Sequence, residues 1–437
     1  MRDLLILSIV VLGCAAALRR PWIGVILWTW LSIMNPHRYA YGFAYDAPLA
    51  AATAGATLIG LLLTRERESP FKGAPVTWLL LLMGWMTLSW LFGLDVSGDY
   101  PQWIKVMKID FMILVALVLL HSKQHIFALA WVAAGSLAVL GAKGGLFTLL
   151  TGGADRVWGP PGSFIADNNE FALAVVIAIP LLRFLQLQLT GFLAKHVLTL
   201  TMALCAAAAL GSHSRGSFLA LMAMAAALWW RGRSRILGGV LIFFAGLALI
   251  AVMPESWTER MSSIENYADD RSALGRISAW WNAWNLAFRY PFGVGFDAAR
   301  PELFARFSPY PDFVHAAHSI YFQILGNHGF GGLAIFLGLW ISTWRSAAWL
   351  RREGIKTSEA RWCADLGAMC QVSLLGFAVG GAFLSLSYFD LPYIVMVLVV
   401  LARVWVTQRS WEKESLQAPR WNLIPGLATA AKRAQGV

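Results

Sequence analysis

Long apolar runs, each closed by a short polar loop, recur along this chain. They cover residues 4–18, 21–34, 48–63, 76–92, 104–120, 126–150, 171–182, 197–210, 218–230, 236–253, 330–349, 363–386 and 391–406. A helix needs roughly 20 residues to cross the hydrocarbon core, so the pattern predicts an all-α polytopic membrane protein with about 12 transmembrane helices, 13 if every run spans. Barrel strands would alternate apolar and polar residues over segments of about ten; these runs do not alternate. One stretch departs from the pattern: residues 254–317 are polar and contain Arg276, Arg289, Arg300 and Arg306. The chain therefore divides into N-terminal helices (1–253), a large loop domain (254–317), C-terminal helices (318–408) and a tail (409–437).

Composition agrees. Of 437 residues, 58% are hydrophobic and only 14% charged, with mean hydropathy +0.60. A soluble domain carries about 25% charged residues. The first apolar run has Asp3 where a cleavable signal peptide needs basic residues, and more spans follow at once, so no such peptide is expected. Cys14, Cys205, Cys363 and Cys370 all fall in or beside apolar runs, which predicts packing rather than disulfides or metal binding. The net charge of +11 is spread over short loops, which argues against a nucleic-acid partner and for membrane lipids as the surroundings.

Loop charges predict the orientation. One set of loops carries Arg19, Arg20, Arg65, Arg67, Lys72, Lys123, Arg183, Lys195, Arg231, Arg233, Arg235, Arg351, Arg352, Lys356 and Arg361, and the basic tail belongs with it. The alternate set holds 93–102, with two Asp and no Lys or Arg, 151–168 and 387–390. The positive-inside rule puts the first set in the cytoplasm. The polar stretch then faces outward, together with Arg215 and the loop 155–169.

No ATP is present outside the membrane, so chemistry there needs a substrate already activated. The outward ionisable residues are mostly Arg and His. Arg offers a planar fork of donors for phosphate oxygens, and His can take a proton near neutral pH. The pair suits a transfer in which a phosphate-type group leaves and an acceptor hydroxyl loses its proton. Candidates for catalysis are Arg215, at the start of a span before Gly216; Arg276, in Gly275-Arg276-Ile277-Ser278-Ala279-Trp280; and His318, expected to open the next helix. Candidates for substrate binding are Arg289 before a glycine turn, Lys105 and Lys108 on one helix face, Asn168 and Glu170 at the start of another span, His315 and Tyr321. His315, His318 and His328 are three of the eight histidines. They lack a His-Glu-x-x-His pattern and a carboxylate ligand, so no metal and no cofactor is expected.

Ser214-Arg215-Gly216, Gly275-Arg276 through Trp280, Pro291-Phe292-Gly293-Val294-Gly295, His318-Ser319-Ile320-Tyr321, Gly326 through Gly329 and Asp167-Asn168-Asn169-Glu170 occur in that topological context. In this order they resemble the O-antigen ligase and polymerase superfamily. Trp30 through Tyr39 is similar to the branch known as O-glycosylation ligases. The likeness covers nearly the whole chain, with Ser319 standing where the family usually has Asn. It implies a metal-independent, inverting glycosyltransferase of GT-C type in the bacterial inner membrane, with its site facing the periplasm. The implied donor is a glycan on undecaprenyl pyrophosphate and the implied acceptor is lipid A–core oligosaccharide. Arg215 and Arg276 would hold the pyrophosphate, and His318 would activate the acceptor. A polymerase or a protein O-oligosaccharyltransferase shares these motifs. A lipid-linked glycan transporter would instead show internal repeats and charges in broken mid-membrane helices, and neither is evident.

Overall fold

A computed structural model describes residues 1–231 and 271–416, together with 236, 239, 240, 243, 244, 246, 247, 254 and 257. Among the described residues every regular element is helical. The helices are α1 (Arg2–Arg19), α2 (Pro21–Met34), α3 (Leu49–Leu63), α4 (Ala74–Leu91), α5 (Val96–Leu119), α6 (Lys123–Leu150), α7 (Asn168–Gln188), α8 (Phe192–Gly211) and α9 (Arg215–Arg231). After the polar stretch begins come α10 (Arg271–Arg289), α11 (Pro301–Phe307), α12 (Ile320–Glu353), α13 (Arg361–Gly381), α14 (Asp390–Thr407) and α15 (Ser410–Leu416).

Seven of these, α4, α6, α7, α8, α12, α13 and α14, are long and apolar enough to cross a membrane. This makes the chain a multi-pass membrane protein. The expectation of about 12 spans meets shorter or more polar helices elsewhere. At about 1.5 Å per residue, the 14 residues of α2 and 15 of α3 fall short of a hydrocarbon core about 30 Å thick. Helix α5 carries Asp99, Lys105, Lys108 and Asp110. The expected span at 236–253 lies largely outside the described residues.

Three boundaries differ from the apolar runs. Helix α7 starts at Asn168 because Asp167 caps it, accepting the Asn169 N–H at 2.8 Å. Helix α13 ends at Gly381, and residues 382–386 belong to the following loop although four of the five are apolar. The run expected at 330–349 starts ten residues earlier, at Ile320, and continues through a break at Gly329 (φ +67°).

Helices α7 and α14 form the centre and are buried on all faces. Such a pattern suits a helix surrounded by others rather than by lipid: α6, α8, α9 and α13 pack on α7, and α5, α6, α12 and α13 pack on α14. Close approach needs small residues. Gly145 of α6 lies so near α8 that a Cβ would come within 2.0 Å of the Leu204 carbonyl oxygen. All four cysteines are free, and Cys205, buried against Gly141, is used for packing as expected.

The two loop sets gather at opposite ends. Leu94 bonds to Val294, Val157 to Gly211, His213 to Gly153 and Asn168 to Ser212 at one end. At the other, Lys72 bonds to the Leu117 carbonyl, Gln188 to Asp365, and Arg231 to Ala368 and Gln371. The N-terminus belongs to the first end: Asp3 accepts the Gly42 and Ala44 N–H groups at 3.1 Å, and Arg38 of the same loop lies beside Gly162.

Candidate active site

His318 lies just before α12 rather than opening it, since Ser319 is the residue at the helix cap. Its φ is +41°. A left-handed backbone costs a residue with a Cβ about 1–2 kcal/mol, and such positions persist where their surroundings hold them, often at functional sites. The hold comes from α10. Trp280 donates its indole N–H to the Ala317 carbonyl at 2.8 Å and stacks on Phe322 with ring centres 4.9 Å apart. Gly275 sits under His315, where a Cβ would come 3.0 Å from the ring. Arg276 and Trp280 are four apart and share a helix face. Thus Gly275, Arg276 and Trp280 all act on the segment 315–318.

Burial lowers the His318 pKa, and the charges of Arg276 and His315 push it further, to about 4 against an opposing pull from Asp167. The ring is therefore neutral at pH 7 and able to accept a proton. Its Nδ1 lies 4.0 Å from Oε1 of Glu170, beyond hydrogen-bond length. His315 is exposed, with its ring centre 5.1 Å from that of His318.

Glu170 sits in the first turn of α7 and is buried. Burial pushes Asp167 up, but hydrogen bonds from the Glu170 side chain and from Asn169 outweigh it and hold Asp167 below its ordinary value. Glu170 Oε2, His318 Nδ1 and Ser319 Oγ are all buried without a hydrogen-bond partner. Buried polar atoms are nearly always paired, so three unpaired ones together mark a place that a polar ligand can satisfy. Glu170 is a substrate-binding candidate from sequence, but nothing in the sequence points to its position beside His318. The two are 148 positions apart in sequence, and no local pattern joins them.

Arg215 begins α9 and is half-buried. The Ser217 side chain reaches the Asn169 carbonyl at 3.3 Å, and Asn168 donates to the Ser212 carbonyl at 2.6 Å, so the starts of α7 and α9 are stitched together. Asn168, expected to bind substrate, has its amide committed to that joint. The α9 and α12 starts both rest on the end of α13 and the loop after it: Gly216 against Gly380 and Phe383, and Ile320 against Gly381. Three helix starts thus meet in one region, and each brings the partial positive charge of its unpaired N–H groups, which favours anions.

The glycine turn 291–295 docks the loop domain onto the helices. The Val294 and Gly295 N–H groups donate to the Asn327 carbonyl at 3.0 and 3.1 Å. Gly293 (φ +85°) passes so close that a Cβ would lie 2.1 Å from that oxygen. Asp99 accepts the Phe296 N–H at 2.8 Å and pairs with Arg300 at 2.9 Å. His328 bonds to Ser89 at 2.9 Å and Tyr388 at 2.7 Å, so it serves this joint and not the His315–His318 pair.

The remaining candidates lie elsewhere. Arg289 is exposed at the end of α10. The Tyr321 hydroxyl donates to the Ala378 carbonyl at 2.9 Å, tying α12 to α13. Lys105 lies 3.7 Å over the Phe164 ring. With Lys108 it lines a cavity of 740 Å³ between α2, α3 and α5. The loop carrying Phe164 leads directly to Asp167 and Glu170. Among the described residues no group of three or more His, Cys, Asp or Glu could hold a metal ion.

Residues 1–210 match a family of unknown function (DUF5935). No curated protein matches the chain. Residues 200–337 match the family described as O-Antigen ligase, a span that includes the catalytic candidates Arg215, Arg276 and His318. Over that stretch the chain is similar to the O-antigen ligases.

Proposed function

We propose that the protein transfers a glycan from undecaprenyl pyrophosphate to a hydroxyl of lipid A–core oligosaccharide at the periplasmic face of the bacterial inner membrane. The observation that carries this is His318: neutral, strained, with an unpartnered Nδ1, and set between Arg276 and Glu170 in the stretch that matches O-antigen ligases. In the step, the acceptor hydroxyl gives its proton to His318 as its oxygen attacks the anomeric carbon. The bond from that carbon to the pyrophosphate oxygen breaks, and undecaprenyl pyrophosphate leaves with the electron pair. Direct displacement inverts the anomeric centre. Arg215 and Arg276, with the three helix starts, hold the leaving phosphates as their charge grows. Glu170 lies on the Nδ1 side of the ring, which leaves Nε2 for the acceptor. The 740 Å³ cavity with Lys105 and Lys108 is suited to the lipid-bearing part of one substrate.

Reconstitution in proteoliposomes with an undecaprenyl-linked glycan tests this. Lipid A–core should gain mass, and His318→Asn should abolish the gain. Asn tolerates a left-handed backbone, so the variant should still fold, and normal transfer by it would remove His318 from the chemistry. Mass gain on a pilin-like protein or on the donor glycan, with lipid A–core unchanged, would make the enzyme a protein glycosyltransferase or a polymerase instead. Transfer should survive EDTA; loss on chelation, restored by zinc, would overturn the metal-independent reading.

A further inference from the structure

A second, smaller cavity of 140 Å³ lies between α10, the loop 296–299 and the start of α12. One water needs roughly 10–15 Å³ on this scale, so the space takes a group larger than a few waters but not a long chain. Its wall includes Asn282, Asp297, His315 and Gln323, with Phe296 and Phe322 as apolar faces. Asn282 is 1% exposed. Its Nδ2 donates to the Ala298 carbonyl at 2.9 Å, which fixes the amide, and its Oδ1 is buried without a partner. Gln323 is fixed the other way round: its Oε1 accepts from the Ser387 hydroxyl at 2.8 Å, leaving its NH₂ as the donor. The Asp297 carboxylate, more than half exposed at 57%, adds an acceptor.

Acceptors, a donor pair and flat apolar walls match the alternating hydroxyls and C–H faces of a pyranose. Neither Arg215, Arg276 nor any lysine lines the cavity, so an anion is not its natural occupant. Ala316 and Ala317 do line it, and His318 follows them in the chain. We propose that this cavity is a single-sugar subsite and that it holds a neutral pyranose of the acceptor with a hydroxyl presented to His318. The donor's reacting sugar carries the diphosphate and belongs beside the arginines. The acceptor assignment rests on the glycan-transfer reading; the sugar site does not.

The test therefore has two arms. In the first, saturation-transfer NMR is run on the detergent-solubilised full-length protein with methyl hexopyranosides as probes. The wild type should bind at least one. Asn282→Ala should weaken binding about tenfold, the loss expected for one hydrogen bond to a ligand. Ala316→Phe, at an exposed position, should fill the cavity and abolish binding while the protein remains folded. If no probe binds the wild type, or if binding is unchanged in folded Ala316→Phe, the subsite is overturned whether or not the protein transfers glycans. In the second arm, transfer by the same variants is measured. A rise of about tenfold in the acceptor KM for Asn282→Ala, with donor KM and kcat nearly unchanged, supports the acceptor assignment. A rise in donor KM alone, or a fall in kcat alone, overturns it. Absence of transfer by the wild type, with probe binding intact, defeats the ligase reading and leaves the sugar site standing.

Discussion

His318 carries a charge argument that can be read in a pH profile. Burial, Arg276 and His315 lower its pKa to about 4, so the free enzyme keeps the ring neutral from neutral pH down to about 5. A pyrophosphate bound at Arg276 would offset that arginine's charge and let the His318 pKa rise. The profile of kcat/KM for the donor reports the free enzyme, and that of kcat reports the loaded one. The acid limb of kcat/KM is therefore expected near pH 4, and the limb of kcat at a higher pH. Arg276→Gln should move the kcat/KM limb upward and weaken donor binding. Coincident limbs at pH 6.5 would show that neither burial nor Arg276 acts on the base. Arg215 stood out in the sequence because it sits between two apolar runs, where ionisable groups are costly to place, and Arg276 and His318 because they lie in or just after the polar stretch that interrupts those runs. Glu170 beside His318 was not legible there, since only the folding of α7 against α12 brings them together.

At the scale of elements, the motif Gly275-Arg276 to Trp280 acquires a reason. Its three named residues contact or act on the segment 315–318 from one helix. Helix α10 also has an outer side: Trp281, Trp284 and Phe288 are exposed, and Trp284 and Phe288 meet Phe330 of α12. Aromatic residues in such a stripe suit the membrane interface. The turn 291–295 shows what hydropathy could not. Its glycines read as an ordinary loop, but Gly293 and Gly295 are required where the loop domain touches the break in α12. Gly293→Ala would set a Cβ 2.1 Å from the Asn327 oxygen at φ +85°. It should cost about 2 kcal/mol or more and lower the thermal midpoint in detergent. An unchanged midpoint would mean that this contact contributes little. Asp99→Asn leaves Arg300 only the more distant Asp297 carboxylate at 3.9 Å, and removing one member of a buried pair costs on the order of 3 kcal/mol. Because the Arg300 side chain is 18% exposed, water screens part of that loss, and a smaller drop than for Gly293→Ala is expected in the same melt.

At the scale of the whole molecule, the charges of short loops had already sorted the chain into two ends, and helix packing reproduces the sorting through contacts that charge does not determine. The Leu94–Val294 and Asn168–Ser212 hydrogen bonds gather the loops poor in basic residues, and the same end holds His318. Helix number was less legible. Hydropathy alone cannot separate a span from a short apolar helix such as α2 or α3, nor see that α12 continues through Gly326–Gly329. Orientation in the membrane is open to a direct test with an impermeant maleimide on spheroplasts. Asp155 and Ser358 are exposed at opposite ends, and the native thiols are buried except Cys14, which is half-buried and can be replaced by Ser. Asp155→Cys should label in intact spheroplasts, and Ser358→Cys only after permeabilisation. The reverse pattern would put His318 in the cytoplasm. A donor exposed on the periplasmic leaflet could then not reach it, and the proposed transfer would fail on geometry before any question of chemistry arose.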